Sequence, residues 1–199
     1  MMKKTMTLLM MGLMLLTVGC KRQTPEQIAV IIGRAQMKKI EKDINSRIQD
    51  MVVPKLKFPD SYQPISTDMS IVTSDMVIYD SQAFLALRDL NNTIKDFNEN
   101  YANDTTSQEA RQELDAIQAM SDVLLDKINT FSSRPVEFEA IDAYHQFYAE
   151  DRPGHQVKKG YHFVIHKNNS ITLLCDHDEF QQVKAFTRQL LNEPPFIAH

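Results

Sequence analysis

The chain has 199 residues, a net charge of −4 and 24% charged side chains. That length suits one domain with its own core, or one domain plus an extension. The acidic balance, with no basic cluster interleaved with aromatics, argues against nucleic acid as a partner. Two cysteines cannot build a disulfide framework, and five glycines leave little for phosphate-cradling loops. The absence of Trp removes the commonest sugar-stacking platform.

Lys3 and Lys4 open the chain, and Thr5 to Val18 follows without a charge. A basic head, an apolar run and a small residue before a cut describe a secretory signal. The run is shorter than the ~20 apolar residues of a comfortable membrane span. Leu16-Thr17-Val18-Gly19-Cys20 then resembles the lipobox of bacterial lipoproteins, with Thr17 where leucine is commonest. The resemblance implies that residues 1–19 are a signal peptide and that Cys20 is acylated and becomes the first residue. The chain is then held at a membrane by lipid. Aspartate after the cysteine tends to retain such proteins at the inner membrane, so Lys21 implies the outer membrane. Surface-displayed members tend to carry acidic residues there, so Lys21-Arg22-Gln23 implies the periplasmic side. Size, signal and layout resemble the small uncharacterised envelope lipoproteins of gut Bacteroidota, a likeness that carries no named activity.

Residues 20–53 read as the lipidated cysteine, a short tether and an amphipathic helix. Thr24-Pro25-Glu26-Gln27 is a helix start, with Thr24 as cap, Pro25 in the first turn and Gln27 closing a capping box. Ile40, Ile44, Ile48 and Met51 recur at helical spacing, and Pro54 stops the run. A continuous helix over 24–53 would span about 45 Å. It is either a stalk or an ordinary helix packed through its apolar stripe. Residues 54–80 read as an irregular connector punctuated by Pro54, Pro59 and Pro64. Met69 to Val72 and Met76 to Tyr79 within it are edge strands or packed loop.

Residues 81–199 read as an α+β domain. A helix over about 82–101, capped by Asp80 or Ser81, carries Leu87, Leu90, Ile94, Phe97 and Tyr101 on one face. Asn103-Asp104-Thr105 is turn chemistry. A capping box from Thr106 to Glu109 opens a second helix to about Phe131. The pair forms an antiparallel helical hairpin. Phe138 to Ala149, Tyr161 to His166 and Ile171 to Asp176 read as a three-stranded antiparallel meander. Its register stays open. A two-residue loop pairs Phe163 with Leu174 and sets His162 opposite Cys175, whereas a three-residue loop aligns Phe163 and Ile165 with Leu173 and Cys175. Residues 179–191 form a closing helix with Phe180, Val183, Phe186 and Leu190 inward. The expected fold is therefore α+β, with a helical hairpin and further helices on one face of a small three-stranded antiparallel meander. Phe163 and Ile165 are expected beneath Phe180, Val183 or Phe186. His162 and His166 then fall on the open face, which becomes the candidate binding face.

Chemistry is sparse. His162 and His166 sit four residues apart on one strand, about 13 Å, and cannot share a metal on a straight strand. His145, His162, Cys175 and His177 meet only in one register of three strands, so no metal or cofactor is expected. Neighbours on a strand face opposite ways, so Asp176-His177-Asp178 is no dyad by itself, and Asp178 reads as a helix cap. Glu137, Glu139, Asp142, Glu150 and Asp151 read as solvated charge, since sequence does not give their separations. Cys175, beside Leu173 and Leu174, reads as a buried inert thiol. Asp104-Thr105-Thr106 resembles the O-glycosylation motif of Bacteroidota envelope proteins, which makes Thr105 a candidate modification site. The function expected is a non-enzymatic binding or scaffolding module in the envelope with a protein partner. The rival is an envelope hydrolase using His and carboxylates around the meander.

Overall fold

The computed structural model describes residues 23–102 and 105–192. Cys20, Lys21, Arg22 and Asp104, on which several sequence expectations fall, lie outside the described residues.

The N-terminal helical segment is two helices, α1 (Pro25–Ile40) and α2 (Ile44–Val52). Thr24 and Gln27 form the expected capping box on α1. The single long helix is corrected: a turn at 41–43 breaks it, and neither half is a free stalk. Both pack on the sheet through Ala29, Ile40, Ile44, Ile48 and Val52. Gly33 faces Ile71 so closely that a Cβ there would lie 2.7 Å from its Cγ1, which lets α1 settle onto the sheet.

The connector is corrected in extent: Met69 to Val72 is an edge strand, one of the two expected alternatives, but it belongs to a longer strand, β1 (Gln63–Thr73), which makes the sheet four-stranded, whereas Val77–Tyr79 is a single helical turn. β1 pairs antiparallel with β2 (Phe138–Arg152), which pairs with β3 (His155–His166), which pairs with β4 (Ile171–Asp176). Pro64 is tolerated because β1 is an edge strand. The mixed helix-and-sheet class and the antiparallel meander of β2, β3 and β4 stand as expected.

The β3–β4 register follows neither simple alternative throughout. The loop is three residues, with Asn169 left-handed at φ 65 and its N–H donating to the His166 carbonyl. Phe163 pairs with Leu173 and Ile165 with Ile171. A bulge then shifts the pairing so that His162 meets Cys175. Gln36 of α1 and Arg47 of α2 both bond Asn169, so the two helices grip this turn.

The hairpin is formed by α3 (Ser81–Asn100) and α4 (Gln108–Ser132). Asp80 caps α3 and Ser107, not Thr106, caps α4. The closing helix α5 (His177–Asn192) lies between the hairpin and the sheet. Asp176, not Asp178, caps it by accepting from the Glu179 N–H at 2.8 Å. Leu87, Leu90, Ile117, Leu124 and Ile128 join Phe180, Val183, Phe186 and Leu190 in one core.

Helices therefore cover both faces of the sheet, not one. Ala140, Ile141, Asp142 and Ala143 are buried in succession, the pattern of a strand enclosed on both sides. The expected faces are reversed. Phe163 and Ile165 pack under α1 and α2 with Ile44 and Ile48, and Phe180 instead covers His162. The cavity left by Phe163→Ala should cost about 3–5 kcal/mol. Ile48→Ala, on the helix above it, should cost about 2–5 kcal/mol. Urea midpoints of the two variants check this placing of the core.

Candidate functional site

The α5 side of the sheet holds a connected polar group inside a hydrophobic setting. Asp142 on β2 and His162 on β3 are 6% and 4% exposed. A buried carboxylate must be paired, and His162 Nδ1 lies 2.9 Å from Asp142 Oδ1. Tyr79 donates its hydroxyl to Asp142 Oδ2 at 3.2 Å. Burial, then the charge of Asp142, pushes the Tyr79 hydroxyl pKa far up, so it stays a donor. On its other side His162 Nε2 meets His177 Nδ1 at 3.0 Å.

This pattern assigns the protons. Asp142 accepts, so His162 carries its proton on Nδ1. With His162 neutral, its Nε2 accepts from His177 Nδ1, and the other nitrogen of His177 is a lone-pair acceptor.

Stacking fixes the rings. His162 stacks on Phe180 with centroids 3.9 Å apart and on Tyr144 at 4.9 Å. Tyr144 stacks on His177 at 4.3 Å. Gly160 makes room for this, since a Cβ there would lie 2.7 Å from Tyr144 Cε2. Burial, with lesser effects from Asp178 and Asp68, raises the Tyr144 pKa.

His177 and Tyr144 line an open cleft of about 790 Å³. Arg88 of α3 and Lys158 and Lys159 of β3 bring positive charge to it. Asp176, Asp178 and Glu179 bring negative charge. Arg88 and Glu179 pair at 3.4 Å. No ion pair within the described residues holds Lys158 or Lys159.

The other expected site residues scatter. His162 is buried, so its place on an open binding face is corrected: α5 covers it. His166 is half-buried at the far end of β3 and bonds Thr172 at 3.1 Å. Of the five carboxylates read as solvated, only Asp142 reaches the site. Glu139 pairs with Lys167, Asp151 with His155, and Glu150 accepts from the Gly154 N–H. Cys175 is buried opposite His162, and burial pushes its thiol far up, which makes it a poor nucleophile. Thr105 is exposed before α4. Among the described residues no group of three or more His, Cys, Asp or Glu side chains is placed to hold a metal. No helix there is long and apolar enough to cross a membrane.

His145 lies on the opposite face, 1% exposed. Its Nδ1 is 2.8 Å from Thr67 Oγ1 and its Nε2 is 2.8 Å from Tyr62 Oη. Thr67 spends its proton on Asn45 Oδ1 at 2.6 Å, so His145 donates through Nδ1 and is neutral. Burial lowers its pKa below 6.5.

Comparison with protein-family models, with curated proteins and with solved structures finds no match to this chain.

Two outcomes follow from this geometry. His162→Ala leaves Asp142 buried with Tyr79 alone, and loss of one partner of a buried pair costs about 3–5 kcal/mol. His166→Ala, away from the core, should stay within about 0.5 kcal/mol of the parent. Denaturant unfolding of the two single variants distinguishes them. His145 gives a pH signature. Its folded pKa is depressed, so below pH 6.5 the unfolded chain binds the extra proton first. The parent should lose stability as pH falls through that value, and His145→Gln should show a shallower fall. Urea midpoints across this range measure the difference.

Proposed function

We propose that this is a lipid-anchored envelope protein, held at Cys20, that binds a small ligand bearing both charge signs in the cleft over His177. The observation that carries the reading is the arrangement of Arg88, Lys158 and Lys159 with Asp176, Asp178 and Glu179 around Tyr144 and His177. A ligand with an ammonium and a carboxylate, such as a short peptide, can satisfy both sets at once. Tyr144 offers a ring face for its apolar part. In this reading the protein is a non-enzymatic binding module at the outer membrane, facing the periplasm, and a peptide segment of an envelope protein is its partner. Thr105 is a candidate site for sugar addition, and its exposure is compatible with that. The intact mass of the mature protein reports lipid and sugar together.

The hydrolase reading is favoured by one specific observation, the Asp142–His162–His177 chain ending at the cleft. A histidine held in one tautomer with buried carboxylate support is what a general base requires. The group to be activated would be a water brought in with the substrate.

NMR titration of the lipidated protein in detergent tests both. Dipeptides of mixed charge should shift the ring resonances of His177 and Tyr144. Lys158→Ala combined with Lys159→Ala should weaken binding by about tenfold or more, the worth of one charge-assisted hydrogen bond. If amino acids, dipeptides and sugar acids all leave both rings unmoved, the cleft is not the ligand site. Peptide or ester turnover that falls about 10²–10⁴-fold in His177→Ala would replace binding by hydrolysis.

A further inference from the structure

The outward side of α1 carries a second apolar stripe that the fold does not use. Ala29, Gly33 and Ile40 face the sheet and are buried. Ile28, Ile31 and Ile32 are 45%, 50% and 48% exposed, and Ala35 is exposed beside them. Positions 28, 31, 32 and 35 follow the i, i+3, i+4, i+7 spacing of one helix face, covering roughly 100° of the circumference. Three half-exposed isoleucines on one short helix form a contiguous patch, not scattered surface residues. Ile28 and Ile32 continue across a groove toward Val136 and Phe138.

Two features state what covers this patch. The first is charge. Arg34, Lys38 and Lys39 lie along the exposed part of α1, and Glu26 is its one acidic residue. No ion pair within the described residues holds any of the three basic groups. Lys39 falls on the same stripe one turn beyond Ala35, where a long side chain can cover apolar surface and keep its ammonium in water. An apolar stripe rimmed by Lys and Arg is the pattern of a helix lying in a membrane interface. The second is reach. From Cys20 to Thr24 is four residues, at most about 14 Å when fully extended. A chain acylated at Cys20 cannot hold the start of α1 farther than that from its anchoring point.

We propose that the outward face of α1, formed by Ile28, Ile31, Ile32 and Ala35 with Lys39, lies in the headgroup region of the phospholipid bilayer and acts as a second anchor beside the lipid on Cys20. The inference rests on the lipid-anchor reading above. The face is then an anchoring element in its own right. The sheet side of α1 holds the helix rigid, so it docks as a preformed surface and does not fold on contact. The acyl chains on Cys20 make attachment stable, and the second contact adds buried apolar area to it. It also fixes the orientation of the domain.

The test places a fluorophore at Ile31→Cys, and in a control at Val123→Cys, in the full lipidated chain. Val123 is 70% exposed on α4, in the helical layer across the sheet, and Cys175 is buried. Each protein is reconstituted into vesicles of phosphatidylethanolamine and phosphatidylglycerol carrying a spin-labelled lipid. Quenching should be several-fold greater at position 31 than at position 123, with a blue-shifted emission at 31. Ile28→Asn with Ile32→Asn should reduce the quenching at 31 toward the control level. Equal quenching at the two positions, in protein whose mass shows the acyl chains, overturns the proposal and leaves the lipid anchor standing. A mass without acyl chains overturns both, because the tether argument falls with the anchor. Disulfide-linked dimers formed on air oxidation of the unlabelled Ile31→Cys protein, together with no lipid quenching in the labelled one, assign the face to a second copy of the chain and overturn the proposal.

Discussion

The enclosure of β2 on both faces is the constraint on which the rest depends. A strand covered on one side can spend alternate positions on water. A strand covered on both sides cannot, and every polar group on it must find a partner inside. β2 carries Asp142 and His145 in buried positions that face opposite ways. Each is answered from a different element. His162 and Tyr79 pair with Asp142, and Tyr62 and Thr67 pair with His145. The small side chains of Ala140, Ala143 and Ala149 let the helical layers close over the same strand. The polar network and the three-layer packing therefore have one cause.

The two histidines on opposite faces are held in different ways. His145 meets only hydroxyls, so its charged form has no counter-charge and burial drives it neutral. His162 meets a carboxylate on one nitrogen and a second imidazole on the other. The first arrangement runs only through the neutral side chains of Tyr62, Thr67 and Asn45. The second continues through His177 to a cleft. His177 completes the network by pairing the buried Nε2 of His162, and because His177 also lines the cleft, the group that satisfies the interior is the one that meets solvent.

Most helices and the caps of α1 and α3 were legible in the sequence because their signals are local, whereas the caps of α4 and α5 fell one and two residues from the expected Thr106 and Asp178. Thr24 with Gln27, Asp80 before α3, and the hydrophobic spacing of the hairpin each sit within one or two turns. Gly154, at φ 75 in the β2–β3 turn after Pro153, is a local signal of the same kind. What failed was non-local. β1 contains Pro64, Ser66, Thr67, Asp68 and Ser70, and only pairing with β2 makes it a strand. The break after Ile40 has neither Gly nor Pro to announce it. The face of each strand residue turned on the number of covering layers. With one layer assumed, Phe163 and His162 must be inside and outside. With two, both are inside, and Asp142 is drawn into the site with them. The bulge at Leu174 hid the register further, since no uniform alignment gives both the Phe163–Leu173 and the His162–Cys175 pairs. Asp142 and His177 were visible as residue types, but the chain linking them exists only when β2, β3 and the start of α5 are brought together.

The three layers also give the molecule a direction. α1 and α2 lie on one face of the sheet, and α5 with the hairpin lies on the other. Tyr144, Gly160 and His177 line the cleft on the α5 side, whereas Ala29 and Gly33 seat α1 on the opposite side. The sheet stands between them, clamped at its β3–β4 turn by Gln36 and Arg47. A chain tethered at its N-terminus and resting on the outward face of α1 would therefore turn its cleft away from the bilayer. A free stalk would leave the cleft to tumble. With α1 and α2 bound to the sheet, the position of the first helix sets the position of the cleft, so the outward face of α1 and the cleft are parts of one rigid geometry.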